Sequence, residues 1–185
     1  MMQKFRNKLF GDIRMKESFT LVELLIVISI VSVLSALSIA SYSNVMKNSR
    51  DTKRKTDLRK VQIALEQYYA TYGTYRVDGG AGWTDPKCGC GWLSYVDGGY
   101  YRRSVIQALH DEGFLEETHL EDPRQSPSYM IYICEGGKVY SLTATLENPK
   151  QSEIEFARDK TCNGNGSNGT VTRYGKTYAI TNKEY

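Results

Sequence analysis

Residues 19–40 read FTLVELLIVISIVSVLSALSIA, a long apolar run with a single acid, Glu23, near its start. A helix needs about 20 apolar residues to cross a bilayer, so this run is long enough to do so. Insertion scales put the cost of a carboxylate inside such a helix at roughly 2.5–3.5 kcal/mol. The position of Glu23 therefore calls for a functional explanation.

The segment before the apolar run is short and basic. Residues 1–18 contain five Lys or Arg residues and two acidic residues, a net charge of +3. The whole chain of 185 residues is also +3, so the 167 residues after residue 18 are formally neutral. The basic character of the chain belongs to its first 18 residues, and we therefore expect no specific binding of nucleic acid.

The segment 16–25, KESFTLVELL, resembles the prepilin signal of type IV pilins and type II secretion pseudopilins. In that family a membrane-embedded peptidase removes a short basic leader, and the new N-terminal residue is then methylated. The resemblance implies that residues 1–18 are the leader, that cleavage falls between Ser18 and Phe19, and that Phe19 is N-methylated. It also places Glu23 at the family's acidic fifth position. The family strongly prefers Gly before the cut, where this chain has Ser18.

Two other interpretations of the apolar run remain open. Ser38-Ile39-Ala40 fits the small-x-small pattern that follows the apolar core of a secretory signal peptide. Alternatively, the run is an N-terminal anchor that is never cut. The protein would then be an extracytoplasmic binding module or a small enzyme that uses its helix only as a tether.

One long helix is expected after residue 18, because neither Pro nor Gly occurs between Gly11 and Gly73. We predict a transmembrane and assembly half at 19–43 and an amphipathic half at 44–73. Apolar residues of the second half recur at alternating steps of three and four, which predicts one buried seam. They are Leu58, Val61, Leu65, Tyr68 and Tyr72. The polar stretch 47–57 is predicted to be a solvated face of the helix.

The remainder of the chain, up to residue 185, is predicted to form a globular head. Residues 74–103 are predicted to be a loop, after which Ser104 is placed to cap a short helix. Residues 129–146 predict a β-hairpin, and residues 170–181 predict a second, C-terminal hairpin. The sequence thus predicts an α+β protein in which a long helix packs on a small antiparallel sheet. The resemblance to pilins implies the same fold.

Four cysteines are present, Cys88, Cys90, Cys134 and Cys162. Export to an oxidising compartment makes disulfides the first expectation, and four cysteines allow three pairings. The favoured pairing joins Cys134 to Cys162, because it would tie the C-terminal region to a strand. Cys88 and Cys90 either bridge each other or pair outward. A zinc site with four thiolates remains an alternative, although Cys-x-Cys is not the usual zinc-binding spacing.

No arrangement of residues predicts catalysis. The two histidines, His110 and His119, belong to no Ser/His/Asp or Cys/His pattern, and the chain has no phosphate-binding Gly-rich motif. Residues 159–170 carry oxygen ligands at spacings similar to an EF-hand loop, but the twelfth position is Thr170 instead of Glu. We expect a structural protein without cofactor or metal, with calcium in this C-terminal loop as a weaker alternative.

The resemblance implies a subunit of a helical filament, either a type IV pilus or a type II secretion pseudopilus. The carboxylate of Glu23 would pair with the N-terminal ammonium of Phe19 in a neighbouring copy. The implied partners are other copies of the chain, the prepilin peptidase, the assembly machinery and membrane lipid. The expected location is the inner membrane, single-pass with the head outside, then outside the cell or in the periplasm after assembly. Packing between copies would come from five apolar residues, Leu21, Val22, Leu24, Leu25 and Ile28.

Overall fold

The protein is described by a computed structural model, in which the chain divides into two compact units, residues 1–43 and 44–185. The leader, with its cleavage residue Ser18, lies outside the described residues, as does Cys88. Side chains are not described at 37–41 or at Cys90. The described residues are 19–77, 90–94, 103–125, 129–162, 164 and 169–184.

Helix α1 spans Leu21–Tyr72, 52 residues without a break. Its continuity follows from the absence of Pro and Gly, since no backbone donor is missing and no residue favours another conformation. Within the part of the chain that the structure describes, no helix meets the combined length and hydropathy of a membrane-crossing segment.

The head is built on a four-stranded antiparallel sheet whose strands follow chain order, β1-β2-β3-β4. In the central pair, Tyr132 of β2 lies opposite Ser141 of β3, which is the hairpin predicted within 129–146. A 3₁₀ turn at Glu135–Gly137 joins the two strands. The strands are β1 Cys90–Trp92, β2 Met130–Cys134, β3 Val139–Ala144 and β4 Tyr178–Thr181.

Position 137 in this turn requires glycine for two reasons, its backbone conformation and the closeness of Thr74. Its φ is +103°, a conformation that residues with a side chain rarely adopt. A Cβ atom there would collide with the hydroxyl of Thr74, and the Gly137 carbonyl accepts a 2.7 Å hydrogen bond from the Tyr75 backbone. The turn thereby holds the chain that leaves α1 against the hairpin.

The second half of α1 packs on one face of the sheet and forms a single core with it. Four residues of the predicted seam, Leu58, Val61, Leu65 and Tyr68, are buried, whereas Tyr72 is half exposed and its hydroxyl donates to Glu112. These four belong to one cluster with apolar residues of the three longer strands, among them Ile131, Ile133, Tyr140, Leu142 and Ile180. The predicted α+β fold is confirmed.

Helix α2 spans Val105–Asp111 and begins as predicted. The Ser104 hydroxyl accepts a 3.1 Å hydrogen bond from the Gln107 backbone, which satisfies one of the free N–H groups at the helix start. Its apolar side, including Ile106 and Leu109, is completely buried in the same core. This helix fixes the position of the chain segment that follows it.

The predicted C-terminal hairpin at 170–181 is wrong. Thr170–Tyr174 forms a short helix, α4, which ends at Gly175 in the left-handed conformation. Only Tyr178–Thr181 is a strand, and it pairs with β3 instead of with residues 170–174. The β-branched residues of α4 have a high propensity for strands, but tertiary packing outweighs that propensity. In the helix, Thr170 is buried and the Tyr174 ring contacts Trp92 edge-on.

Two further elements depart from the sequence prediction. The predicted loop 74–103 contains strand β1, whose three residues become a strand only by pairing with β2. Helix α3, Gln151–Asp159, was not predicted, because Lys150 is not a usual capping residue. Its Glu153 side chain accepts a 2.8 Å hydrogen bond from the Lys150 backbone, so the acid three residues into the turn stabilises the helix start.

Candidate functional site

The N-terminus of α1 is organised around Glu23. The Glu23 carboxylate accepts hydrogen bonds from the Thr20 backbone N–H at 2.9 Å and from the Thr20 hydroxyl at 2.7 Å. In return, the Glu23 backbone N–H donates to the Thr20 hydroxyl at 3.2 Å. This reciprocal arrangement is a capping box, which satisfies donors that the first turn of a helix leaves free.

Sequence reasoning identified Glu23 but missed the role of Thr20. The signal was present, because Thr-x-x-Glu immediately before an apolar run is the pattern of a capping box. Both bonds from Thr20 end on the same carboxylate oxygen, Oε2. The other oxygen, Oε1, accepts no hydrogen bond from the described residues and could therefore accept one from another donor.

The apolar side chains around Glu23 are all exposed. The five predicted assembly residues are between 55% and 78% exposed, and Phe19, just before the helix, is 83% exposed. Exposure continues on every side of the helix as far as residue 36. A contiguous apolar surface of this size marks a site that another protein or a membrane covers.

Two serines within this apolar surface form hydrogen bonds inside the helix. The Ser29 hydroxyl donates to the Ile26 carbonyl at 2.7 Å, and the Ser32 hydroxyl donates to the Ile28 carbonyl at 2.6 Å. Hydroxyls bonded in this way need no partner from the surroundings. Between Phe19 and residue 46, Glu23 is the only side chain that is charged at neutral pH.

The head contains a second ionic site, which we call the Arg54 cluster: Arg50, Asp51, Arg54, Asp122 and Glu147. The Arg54 side chain is 2% exposed. Its guanidinium donates to both Asp122 oxygens, at 2.7 and 2.8 Å, to Asp51 at 2.7 Å and to Glu147 at 3.1 Å. Arg50 adds a bidentate pair to Glu147 at 2.6 and 2.8 Å. The prediction of a solvated face at 47–57 is therefore wrong, because long-range acids bury this side of α1.

The proton affinities of the cluster follow from these contacts. Hydrogen bonds from Arg50 are the main reason that the pKa of Glu147 falls to about 2, with Arg54 acting in the same direction. Burial is the largest single influence on the pKa of Asp122 and raises it. The hydrogen bonds from Arg54 and from the Arg124 backbone, together with the charges of Arg54 and Lys176, outweigh burial and lower that pKa. The carboxylates of Glu147 and Asp122 are thus ionised at neutral pH.

Three other polar side chains of the head are buried with defined neighbours. The Tyr129 hydroxyl donates to Asp57 at 2.8 Å, and the Tyr140 hydroxyl donates to Glu66 at 2.8 Å. Lys176 is fully buried with its ammonium 5.1 Å from the centre of the Trp92 ring, and burial lowers the pKa of this lysine to about 8. The two tyrosine contacts join the head to α1.

A disulfide joins Cys134, at the end of β2, to Cys162, with Cα atoms 6.4 Å apart. This is the pairing favoured in the sequence analysis, and it excludes a zinc site made of four thiolates. Within the described ranges, no group of three or more His, Cys, Asp or Glu side chains is placed to hold a metal ion. In the C-terminal loop with EF-hand-like spacing, Asp159 forms a bidentate pair with Arg158, and the Thr161 hydroxyl donates to the Ala157 carbonyl.

Comparison with known proteins locates one match. A family model described as the prokaryotic N-terminal methylation motif matches residues 13–39, which include Ser18, Phe19, Thr20 and Glu23. No curated protein and no solved structure matches the chain. The matched segment thus contains the capping box and most of the exposed apolar surface. Residues 13–39 carry the prepilin-type signature of type IV pilins and pseudopilins, a class of membrane-anchored precursors that are structural subunits and not enzymes.

Proposed function

We propose that this chain is a structural subunit of a type IV pilus or of a type II secretion pseudopilus-like filament. The observation that carries the proposal is the helix start itself. A lone carboxylate, Glu23, lies within an apolar surface that is exposed on all sides, inside the segment that matches the methylation motif. A surface of that kind fits a helix that passes from lipid into a bundle of like helices.

The proposal has a processing step before assembly. The prepilin peptidase cuts between Ser18 and Phe19, and the new amino group of Phe19 is methylated. The processed chain remains in the inner membrane through its apolar helix, with the head outside, until the assembly machinery adds it to a filament. The matched motif supports this order of events.

Glu23 then couples assembly to charge neutralisation. In the single chain its Oε2 atom accepts from Thr20, and Oε1 is open to the ammonium of Phe19 in a neighbouring copy. A carboxylate surrounded by lipid raises the free energy of the free subunit, and a counterion in a dry helix bundle offsets that cost. Because the pair forms only between copies, it favours the filament and fixes the stagger of adjacent helices.

The test is to replace Glu23 and to score processing and assembly separately. For Glu23→Ala we expect a processed, methylated N-terminus by mass spectrometry and a loss of filaments by electron microscopy. Glu23→Gln is the sharper variant, because it keeps the shape of the side chain and removes its charge. Ser29→Ala, on the same exposed helix, is the matched control and should assemble normally.

Normal filaments from Glu23→Gln would contradict the charge-pairing mechanism. A wild-type protein that keeps residues 1–18 and forms no filaments under conditions that support processing would contradict the proposed function as a whole. Ser18→Gly should increase the processed fraction, because it restores the residue that the resemblance expects before the cut.

A further inference from the structure

We infer that a groove on one flank of the head receives the acidic segment 112–121 of the neighbouring copy in the filament. The inference rests on the proposed function and adds to it a contact between heads. It names two surfaces of this chain, the groove beside Arg59 and the acidic segment, as partners across copies.

The groove lies between α1, α3 and β4 and has a volume of about 320 Å³. Arg59 and Gln62 line it from α1, Ser152 and Phe156 line it from α3, and Tyr178 lines it from β4. The lining combines two aromatic side chains, Phe156 and Tyr178, with hydrogen-bonding side chains such as Gln62. Aromatic residues are enriched in protein interfaces. No part of the described chain fills it.

The groove carries a positive charge that its own surroundings do not neutralise. Glu153 also lines the groove, and Lys55 neutralises its charge through a 2.5 Å ion pair. The guanidinium of exposed Arg59 donates only to the neutral Gln62 side chain, at 2.7 Å, among the described residues. The net charge at the groove is therefore that of Arg59.

The acidic segment has the opposite character. Four of its ten residues are Glu, and none is Lys or Arg. Glu117 is held by an ion pair with Lys60, and Glu112 accepts from the Tyr72 hydroxyl at 2.9 Å. Glu116 is exposed and has no ion-pair partner within the described ranges. The segment therefore presents an excess of negative charge to solvent.

The two surfaces lie on different flanks of α1. Successive residues of an α-helix project about 100° apart, so Arg59 and Lys60 point to different sides of α1. Lys60 points to the acidic segment through Glu117, while Arg59 and Gln62 line the groove. In the folded chain, no residue of the segment 112–121 lines the groove.

A contact between two different surfaces joins copies head to tail. Such heterologous contacts build open helical assemblies when the rotation does not close a ring. Charge complementarity of this kind mainly selects the correct partner and its register. The groove and the acidic segment are two different surfaces of one chain, as a heterologous contact requires.

The direct test is a cysteine pair, Arg59→Cys with Glu116→Cys, in the full chain assembled into filaments. Every copy then carries both halves of the contact, so oxidation should give a ladder of multimers on a non-reducing gel. Each single variant is the matched control and should give no ladder beyond a dimer.

Charge reversal tests the same contact without cross-linking. Arg59→Glu and Glu116→Lys should each lower the fraction of subunits in filaments about two- to fivefold, as expected for an exposed ion pair. The double variant should restore that fraction, because the pair is reversed and not removed. Lys138→Glu, an exposed reversal outside both surfaces, is the control.

Wild-type filaments without a cross-link ladder, and with no rescue by the double reversal, would overturn this contact and leave the proposed function in place. A processed wild-type chain that forms no filaments would overturn the proposed function, and the contact with it. A ladder together with rescue supports the contact.

Discussion

The two halves of α1 carry their ionisable groups in opposite ways. In the first half, Glu23 is alone within an exposed apolar surface, and its hydrogen bonds come from Thr20, one turn away. In the second half, Arg54 is buried beneath three carboxylates, two of which come from distant parts of the chain. The head supplies its own counterions, whereas in the function we propose the first half of α1 offers a carboxylate oxygen to a partner.

This contrast shows what each half of the helix contributes. A buried charge whose partners belong to the same chain stabilises one conformation of that chain. A charge without such partners, on an exposed apolar surface, can instead stabilise the association of the chain with another copy. The same helix therefore folds the head with one half and, as we propose, assembles the filament with the other.

The largest effect is expected at Arg54. Arg54→Met removes the cation and leaves Asp122 and Asp51 buried, which costs about 3–5 kcal/mol of unfolding free energy. Urea unfolding of the full chain in detergent, followed by tryptophan fluorescence, measures this loss. Arg124→Met is the matched control, because Arg124 contacts Glu147 at 3.4 Å with a 62% exposed side chain, and should cost less than about 1 kcal/mol. Equal losses in the two variants would contradict the contrast.

Removing the disulfide should have the next largest effect. Cys134→Ala with Cys162→Ala opens a link across 28 residues, which by chain entropy lowers the unfolding free energy by about 3.5 kcal/mol. The urea midpoint should fall for the head, while cleavage after Ser18 should be unchanged. A midpoint equal to that of the wild type would show that the head does not depend on this link.

Acid should weaken the head through Glu147. Its folded pKa is about 2, below the ordinary 4.5, so ionised Glu147 contributes stability that is complete above pH 4.5. That contribution is lost as the pH falls from 4.5 towards 2. Glu147→Gln should therefore be less stable than the wild type at neutral pH, and the difference should shrink across this window. A difference independent of pH would argue that Glu147 acts by packing alone.

The smallest effect is expected at Thr20. Thr20→Val keeps the shape of the side chain and removes the hydroxyl, which should cost about 1 kcal/mol at the helix start. Thr20→Ser retains the capping box and is the control. Hydrogen exchange over the first turn of α1 should be faster in Thr20→Val only. If Thr20→Val and Thr20→Ser exchange alike, the hydroxyl does not cap the helix.

Features with a strong local signal were predictable from the sequence. The length of α1 followed from the absence of Pro and Gly, its buried seam from the three-four spacing, and the start of α2 from Ser104. The β2–β3 hairpin followed from two β-rich segments around Gly136 and Gly137. Glu23 was identified because a lone carboxylate in an apolar run is costly wherever it occurs.

Features decided by distant contacts were not predictable. No local feature of the sequence indicates that Arg54 contacts Asp122 and Glu147, which lie 68 and 93 residues further along the chain. The sequence around Arg54 therefore predicted a solvent-exposed face. Residues 170–174 have the composition of a strand but become α4 because of the Trp92 contact and the Gly175 stop. The groove beside Arg59 exists only once α3 and β4 flank α1.

The disulfide between Cys134 and Cys162 has a consequence for topology. Cytosolic thiols stay reduced, so in the proposed topology this bond forms only after the head has left the cytoplasm. A molecule inserted in the wrong orientation would keep both thiols free and would react with a maleimide reagent. In the proposed topology, the redox state of this one pair would report the side of the membrane on which each copy folded.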